Sequence, residues 1–193
     1  MNIRIYILIS LLPALCFSDN NLLGTKAPKW ALKTSNGSYE FLNNYVAPIE
    51  EELRDKKENR RSVIVQTFFA TWCTNCVREI NELNRLRKLF IKEDIEFFII
   101  DLTEYTRRST DPEHQNAENS SEFLDDLGFS KIPVLMDDDG ITAIAYGFDE
   151  LVLTLPRLII IDKFQQIRFD ETGACTKCFD EEIVPLIEEL VNE

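Results

Sequence analysis

The sequence predicts an α/β fold with a mixed β-sheet flanked by helices, and three observations carry this prediction. Residues 62–69 are β-branched and aromatic, as in a buried central strand. Apolar residues then recur at helical spacing over residues 74–91, before a second buried strand at 95–102. Two further runs, 158–161 and 166–169, predict an antiparallel hairpin that precedes a closing helix. Helix-linked strands followed by an antiparallel hairpin are typical of a mixed sheet.

Composition limits the classes of protein to consider. A chain of 193 residues with 45% hydrophobic residues is long enough and apolar enough for one packed domain. Its net charge of -13 argues against a nucleic-acid or anionic-membrane partner, because both would repel it. His114 is the only histidine, which excludes a metal site built from several histidines.

Residues 1–18 are predicted to be a signal peptide. Arg4 precedes an apolar run, and Cys16 and Ser18 are small residues spaced for cleavage before Asp19. The apolar run is short for a transmembrane helix. Lipidation at Cys16 and a retained membrane anchor are the alternatives. We therefore expect an exported protein, periplasmic or otherwise extracytoplasmic, with no membrane insertion after cleavage.

The mature domain is predicted to span residues 19–193, with an N-terminal extension at 19–61 and a core at 62–193. The turn Asn36-Gly37 lies between two short strand-like runs and predicts a β-hairpin in the extension. Residues 44–61 are charged with apolar residues near helical spacing, which predicts an amphipathic helix. The two strands of the hairpin are predicted at residues 29–34 and 39–41.

The rest of the core contains shorter elements. Residues 103–121 are polar and are predicted to form a surface loop that includes His114. Three consecutive aspartates precede Gly140, and we predict a plain hairpin turn there, since the other ligands of a calcium loop are missing. The remaining predicted elements are a helix at 121–127, a strand at 132–136 and the closing helix at 180–191.

Cleavage of the signal would leave four of the five cysteines, all in two C-x-x-C pairs. Export implies a compartment where paired cysteines persist as disulfides. Cys73 falls where a strand meets a helix, and the N–H groups and dipole of a helix start favour a thiolate. We therefore predict that Cys73 is an exposed nucleophile and that Cys76, one turn deeper, is the resolving thiol. The alternatives are a static disulfide and half of a zinc site.

Several segments resemble one known family. Phe-Ala-Thr-Trp-Cys-Thr-Asn-Cys at residues 69–76 resembles the active-site segment of thioredoxin-like proteins. Gly-Thr-Lys-Ala-Pro at 24–28, Pro-Val-Leu at 133–135 and Leu-Pro at 155–156 resemble segments of their exported disulfide-reductase branch, the TlpA/ResA type. The resemblance extends over about residues 23–191. It implies a thioredoxin-like fold, here with the predicted N-terminal β-hairpin extension, and thiol–disulfide exchange. We expect no organic cofactor, because the two thiols carry the two electrons, and no bound metal.

The resemblance also implies roles for individual residues. Trp72 would shield the dithiol and offer a flat docking surface. Pro156 would be cis and face the disulfide, with the Leu155 backbone pairing to a bound peptide. Glu79 matches a glutamate that tunes thiol chemistry, although a solvated helix residue is an equally good interpretation. Asn75 stands where the family usually has proline, which leaves the direction of electron flow open.

The second pair, Cys175 and Cys178, follows the last strand and opens the last helix. The last strand of such a sheet runs back toward the active-site edge. Three interpretations remain open: a permanent disulfide that staples the helix start, a second redox pair exchanging electrons with the first, and a four-cysteine metal site.

The sequence thus predicts an exported, monomeric thiol–disulfide oxidoreductase that acts on protein thiols or disulfides, or on a redox partner protein. The alternative is a metal-binding or metal-delivery protein on the same scaffold, with Cys73, Cys76, Cys175 and Cys178 as ligands. A peroxidase is disfavoured because the C-x-x-C motif stands where a Thr/Ser-x-x-Cys loop would be needed.

Overall fold

Seven strands form one mixed β-sheet in the computed structural model, which describes residues 22–46, 61–129, 131–149, 153–175 and 177–193. In chain order the strands are β1 (Ala31–Thr34), β2 (Tyr39–Phe41), β3 (Val63–Phe69), β4 (Ile95–Asp101), β5 (Val134–Met136), β6 (Arg157–Ile161) and β7 (Ile167–Thr172). Across the sheet the order is β2-β1-β5-β4-β3-β6-β7. Strands β3, β4 and β5 are parallel neighbours and the other pairs are antiparallel, which confirms the predicted mixed sheet.

The centre of the sheet is its most apolar part. Every residue of β3 is buried, as are the last five of β4. Strands covered on both faces favour β-branched and aromatic side chains throughout, which is the pattern seen in both sequences. The predicted central strands and the predicted β6–β7 hairpin are therefore confirmed, with small shifts at their ends.

The helices are α1 (Thr74–Leu89), α2 (Thr103–Thr106), α3 (Pro112–Gln115), α4 (Ser120–Asp126), α5 (Ile141–Ala145) and α6 (Val184–Asn192). Helix α1 buries Ile80, Leu83 and Leu86 against the sheet, as its apolar spacing predicted. The closing helix is also confirmed, and a π-helical turn at Phe179–Ile183 leads into α6.

The prediction of a loop over residues 103–121 is wrong in part. The segment contains α2 and α3, and α4 begins at Ser120. The Asp111 carboxylate caps α3 by accepting the N–H of Glu113, and Asn119 caps α4. His114 consequently lies in a helix rather than in a loop. One-turn helices show too little periodicity for their apolar spacing to be recognised.

The prediction of a hairpin turn before Gly140 is also wrong, because the turn leads into α5. Asp137 accepts the backbone N–H groups of Thr142 at 3.2 Å and Ala143 at 2.8 Å. Asp139 accepts the N–H of Ile141 at 3.1 Å. Two of the three aspartates therefore serve to satisfy the first N–H groups of a helix.

The N-terminal extension joins the main sheet. The predicted hairpin forms from β1 and β2, and β1 pairs with β5 at the edge of the core sheet. Residues 1–18 and most of the predicted helix at 44–61 lie outside the described residues. Within the described ranges, no helix has the length and apolar character needed to cross a membrane.

Candidate active site

The first cysteine pair lies at the junction between β3 and α1, closed as a disulfide with Cα atoms 5.3 Å apart. A tight turn follows β3, in which the N–H of Cys73 donates to the carbonyl of Ala70 at 3.0 Å. Cys73 is the N-cap of α1, and its Sγ accepts the backbone N–H of Cys76 at 3.2 Å. In the reduced protein the same N–H would point at a Cys73 thiolate and lower its pKa.

The exposure of this pair differs from the prediction. Cys73 is only 5% exposed and Cys76 is 1% exposed, so the expectation of an exposed Cys73 is wrong for the disulfide form. Both belong to the continuous apolar core. A disulfide carries no charge, so it packs there as an apolar group. Cys73 is still the more accessible of the two sulfurs.

Trp72 is held from two sides by the segment at residues 103–119. Its indole stacks on the imidazole of His114, with ring centroids 3.9 Å apart and planes 26° apart. Its Nε1–H donates to the hydroxyl of Thr106 at 2.9 Å, and His114 Nδ1 hydrogen-bonds Ser109 Oγ at 2.9 Å. One face of the predicted docking surface is thus covered by His114. This contact could not be predicted from the sequence, because a lone histidine in a polar stretch forms no pattern.

A buried carboxylate anchors the same segment. Asp101, at the end of β4, accepts hydrogen bonds from Thr103 and from the hydroxyl of Ser120. Burial raises the pKa of Asp101, and these hydrogen bonds oppose the rise. Thr103 Oγ1 also accepts the N–H of Thr71 at 3.1 Å, and the Thr71 hydroxyl donates to the Glu118 carbonyl at 3.1 Å. The turn that carries Trp72 and the 103–119 segment are therefore one connected network.

Glu79 is buried on the inner face of α1, one turn after Cys76. It is 3% exposed, Oε1 accepts the hydroxyl of Thr67 in β3, and Oε2 has no hydrogen-bond partner among the described residues. Burial raises the pKa of Glu79 from 4.5 to about 7, although the Thr67 hydrogen bond and Arg78 oppose the rise. A solvated surface position for Glu79 is therefore wrong.

Pro156 lies at the same edge of the sheet as the cysteine turn. The Leu155–Pro156 peptide bond is cis, as the resemblance implied, and Leu155 is buried. Arg157, the first residue of β6, is paired in register with Phe68 of β3. Pro156 therefore lies level with the last residue of β3, from which the chain turns toward Cys73.

A buried ion pair supports this edge. Arg157 makes a bidentate contact with Asp170 of β7, with both N···O distances 2.8 Å, and its guanidinium also lies over the Phe148 ring. Asp170 further accepts the N–H of Leu22 at 2.7 Å. The pairing of β6 with β7 beside Pro156 is thus fixed by charge-assisted hydrogen bonds as well as by the backbone.

The second pair, Cys175–Cys178, forms a second disulfide with Cα atoms 5.8 Å apart. Cys175 Sγ accepts the N–H of Cys178 at 2.9 Å. The N–H of Gly173 donates to the carbonyl of Pro156 at 2.7 Å, so this segment reaches the active-site edge. Among the described residues no group of three or more His, Cys, Asp or Glu side chains is arranged to hold a metal ion.

A mixed sheet of this order, with a C-x-x-C disulfide where a buried parallel strand meets a helix, defines the class of thioredoxin-like thiol–disulfide oxidoreductases. The chain belongs to the AhpC/TSA family, which matches residues 23–170. It is similar to the thiol-disulfide oxidoreductase ResA of Geobacillus thermodenitrificans (strain NG80-2). The two are 26% identical over 155 residues, which cover 80% of this chain and 72% of that protein.

Solved structures agree on the fold. A thiol-disulfide oxidoreductase from Bacteroides fragilis NCTC 9343 superposes with a TM-score of 0.56 at 20% identity, covering 86% of this chain and 100% of that one. The pneumococcal exposed lipoprotein thioredoxin Etrx1 of Streptococcus pneumoniae strain TIGR4 gives a TM-score of 0.57 at 19% identity, covering 84% and 100%. The predicted resemblance to thioredoxin-like thiol–disulfide oxidoreductases is confirmed.

Proposed function

We propose that this chain is an extracytoplasmic oxidoreductase that exchanges disulfides with protein cysteines through Cys73 and Cys76. The observation that carries the proposal is the placement of Cys73 at the N-cap of α1, where its sulfur accepts the N–H of Cys76. This arrangement stabilises a thiolate on one sulfur and keeps the second sulfur within bonding distance.

The reaction transfers two electrons and needs no organic cofactor. In the reduced protein the Cys73 thiolate attacks one sulfur of a substrate disulfide, which forms a mixed disulfide and releases a substrate thiolate. Cys76 then loses its proton and attacks Cys73 Sγ. The Cys73–Cys76 disulfide forms, and the second substrate sulfur leaves as a thiolate that takes up a proton. The reverse sequence oxidises a substrate dithiol.

Glu79 is proposed as the group that accepts the proton of Cys76. The i, i+3 spacing places both side chains on the buried face of α1. A pKa of about 7 allows the carboxyl to take or release a proton at neutral pH, and its unpartnered Oε2 offers a site for that proton. Because a buried thiol has no access to bulk water, an internal base would speed the resolving step.

Substrate docking is proposed along Leu155 and Pro156, beside Trp72. An extended peptide would pair with the Leu155 backbone and bring its disulfide to Cys73. His114 covers one face of Trp72 at 3.9 Å, so the peptide would approach from the Leu155 side. The net charge of -13 favours neutral or basic protein partners and disfavours nucleic acid. We expect the mature protein to be a monomer.

Export is supported by residues 1–18, which have the organisation of a signal peptide followed by a mature domain from residue 19. A structural neighbour described as an exposed lipoprotein thioredoxin agrees with an extracytoplasmic location.

The test is turnover of a protein disulfide by the mature chain from Asp19, with insulin as substrate and dithiothreitol as reductant. Cys73→Ser should lose at least about 10³-fold in rate, equivalent to about 4 kcal/mol. Cys76→Ser should accumulate a mixed disulfide between Cys73 and insulin. Thr34→Ser, in the exposed N-terminal hairpin, is the matched control and should turn over normally. Wild-type turnover by Cys73→Ser would contradict the proposal.

A further inference from the structure

The proposed function leaves the second C-x-x-C without a role, although its local geometry repeats that of the first. In both pairs the first sulfur accepts the backbone N–H of the second cysteine, at 3.2 Å for Cys73 and 2.9 Å for Cys175. Cys73 is the N-cap of α1, whereas Cys178 is the N-cap of the turn Phe179–Ile183, so each pair lies at the start of a helical segment. In both pairs the second cysteine is the more buried. This arrangement is compatible with a reversible, redox-active dithiol as well as with a permanent structural disulfide.

We propose that Cys175–Cys178 is a second redox-active pair, which passes electrons to Cys73–Cys76 within the same chain. The proposal rests on the proposed function, since it assigns the electron source of that site. It requires that the two pairs lie at one edge of the sheet, and that the second pair is the stronger reductant.

The topology brings the two pairs to the same edge. Strand β6 lies between β3 and β7, and Arg157 pairs with Phe68 on one side and with Thr172 on the other. The ends of β3 and β7 are therefore level with each other. Gly173, just after β7, is hydrogen-bonded to Pro156 at 2.7 Å. Cys175 follows two residues later, within about 7 Å of chain length.

The charges at the two helix starts differ. The first turn of α1 holds no acidic residue, whereas Asp180, Glu181 and Glu182 follow Cys178 directly. Arg85 pairs with Asp180 at 2.9 Å, and Lys177 lies between the two cysteines, but the local charge stays negative. Negative charge disfavours thiolates at the second pair, which favours its disulfide over its dithiol. The second pair is therefore the stronger reductant.

The transfer proceeds by two exchanges. The Cys175 thiolate, from the more exposed position of its pair, attacks Cys73 Sγ, forms a Cys73–Cys175 disulfide and releases Cys76 as a thiolate. Cys178 then attacks Cys175 Sγ, which closes Cys175–Cys178 and releases the Cys73 thiolate. Two electrons move from the second pair to the first, and the two protons follow. A dithiol on an external donor protein reduces Cys175–Cys178 again.

The intermediate provides the direct test. The mature Cys76→Ser/Cys178→Ser variant retains only Cys73 and Cys175. In a glutathione buffer it should form the Cys73–Cys175 disulfide in the monomer, detected by peptide mass spectrometry without reduction. The matched variant Cys76→Ser/Cys175→Ser retains Cys178 instead and should form at least tenfold less cross-link. Failure of Cys73 and Cys175 to cross-link would overturn the proposal.

A second readout tests the direction of transfer in the wild-type chain. Alkylation after equilibration with glutathione should show Cys175–Cys178 half-reduced at a [GSH]²/[GSSG] ratio at least tenfold above that of Cys73–Cys76. The inference would be overturned if Cys175–Cys178 stays oxidised at every ratio in the folded protein. It would also be overturned if Cys73–Cys76 needs the higher ratio for half-reduction. Insulin turnover that depends on Cys73 would leave the proposed function standing in either case, whereas turnover without Cys73 would remove it.

Discussion

The two C-x-x-C pairs share a backbone geometry and differ in their surroundings. In each pair the sulfur of the first cysteine accepts the backbone N–H of the second, at 3.2 Å in the first pair and 2.9 Å in the second. Both pairs contact the apolar core, but Glu79, with a raised pKa, follows Cys76 by one helical turn, whereas three acidic residues follow Cys178 directly. Spacing and a helix start therefore make a dithiol possible, and the nearby charges decide which pair donates electrons.

The largest effect is expected at the Arg157–Asp170 ion pair, in the two strands that end beside Pro156. Asp170→Asn should lower the free energy of unfolding by about 3–5 kcal/mol, because it removes the carboxylate charge that the buried Arg157 guanidinium contacts at 2.8 Å. Urea denaturation of the oxidised protein would measure the loss. Asp126→Asn, on the exposed end of α4, is the control and should change stability by less than about 0.5 kcal/mol. Equal effects of the two variants would show that the Arg157–Asp170 ion pair does not stabilise the fold.

Glu79 distinguishes the first pair from the second, and its effect should depend on pH. The folded pKa of about 7 lies above the ordinary 4.5, so the folded state holds the proton more tightly and wild-type stability falls as pH rises through this range. Glu79→Gln removes this loss. From pH 4 to pH 8 it should gain stability relative to wild type by about 3 kcal/mol, measured by urea denaturation at each pH.

The same variant should slow the resolving step, because glutamine accepts no proton from Cys76. Rapid-mixing kinetics of mixed-disulfide decay would show a component of the pH dependence centred near 7 in wild type that is missing in Glu79→Gln, in which only ionisation of the thiols remains. Glu82→Gln, on the more exposed side of α1 where Glu82 pairs with Arg85, is the matched control and should keep the wild-type profile. An unchanged profile in Glu79→Gln would show that the carboxyl acts only in packing.

The stack on Trp72 is a further feature of the first pair alone. His114→Ala should lower stability by about 1 kcal/mol and speed alkylation of reduced Cys73, because Trp72 loses its stacked partner. His114→Phe retains a stacked ring and should restore the wild-type behaviour. Thermal unfolding and iodoacetamide kinetics would measure the two effects. Slower alkylation in the alanine variant would contradict a shielding role for this stack.

The smallest effect concerns the charges at the second pair. Glu181→Gln/Glu182→Gln should weaken the reducing power of Cys175–Cys178, since each removed charge favours its thiolate by about 0.5 kcal/mol. The glutathione ratio for half-reduction of this pair should fall by roughly twofold to threefold per charge. Glu188→Gln, farther along α6, should leave the ratio unchanged. A rise in the ratio would contradict the inference that these acidic residues make Cys175–Cys178 the stronger reductant.

The elements that were predicted correctly from the sequence are those in which one periodicity continues over many residues. Strands β3 and β4 and helix α1 are continuous runs at one periodicity, so their ends were predicted within two residues. The cysteines, Pro156 and Glu79 belong to sequence motifs of the family, which can be recognised without a structure. Each of these features is local in the chain.

The parts that the sequence did not predict depend on contacts between distant segments. Helices α3 and α5 are too short to show periodicity. Asp111 is the N-cap of α3, and Asp137 and Asp139 accept N–H groups in the first turn of α5. The stack of His114 on Trp72 joins residues 42 positions apart in a segment without pattern. The burial of Cys73, likewise, depends on how the core closes around the disulfide.

The most direct test of the central claim is a redox titration of the mature chain, with thiols trapped by alkylation and each pair identified by mass spectrometry. Metal content is measured on the same sample. We predict that Cys73–Cys76 titrates reversibly as a two-electron couple in the range of roughly -300 to -100 mV. Four cysteines that resist alkylation until a chelator removes one bound ion would contradict it.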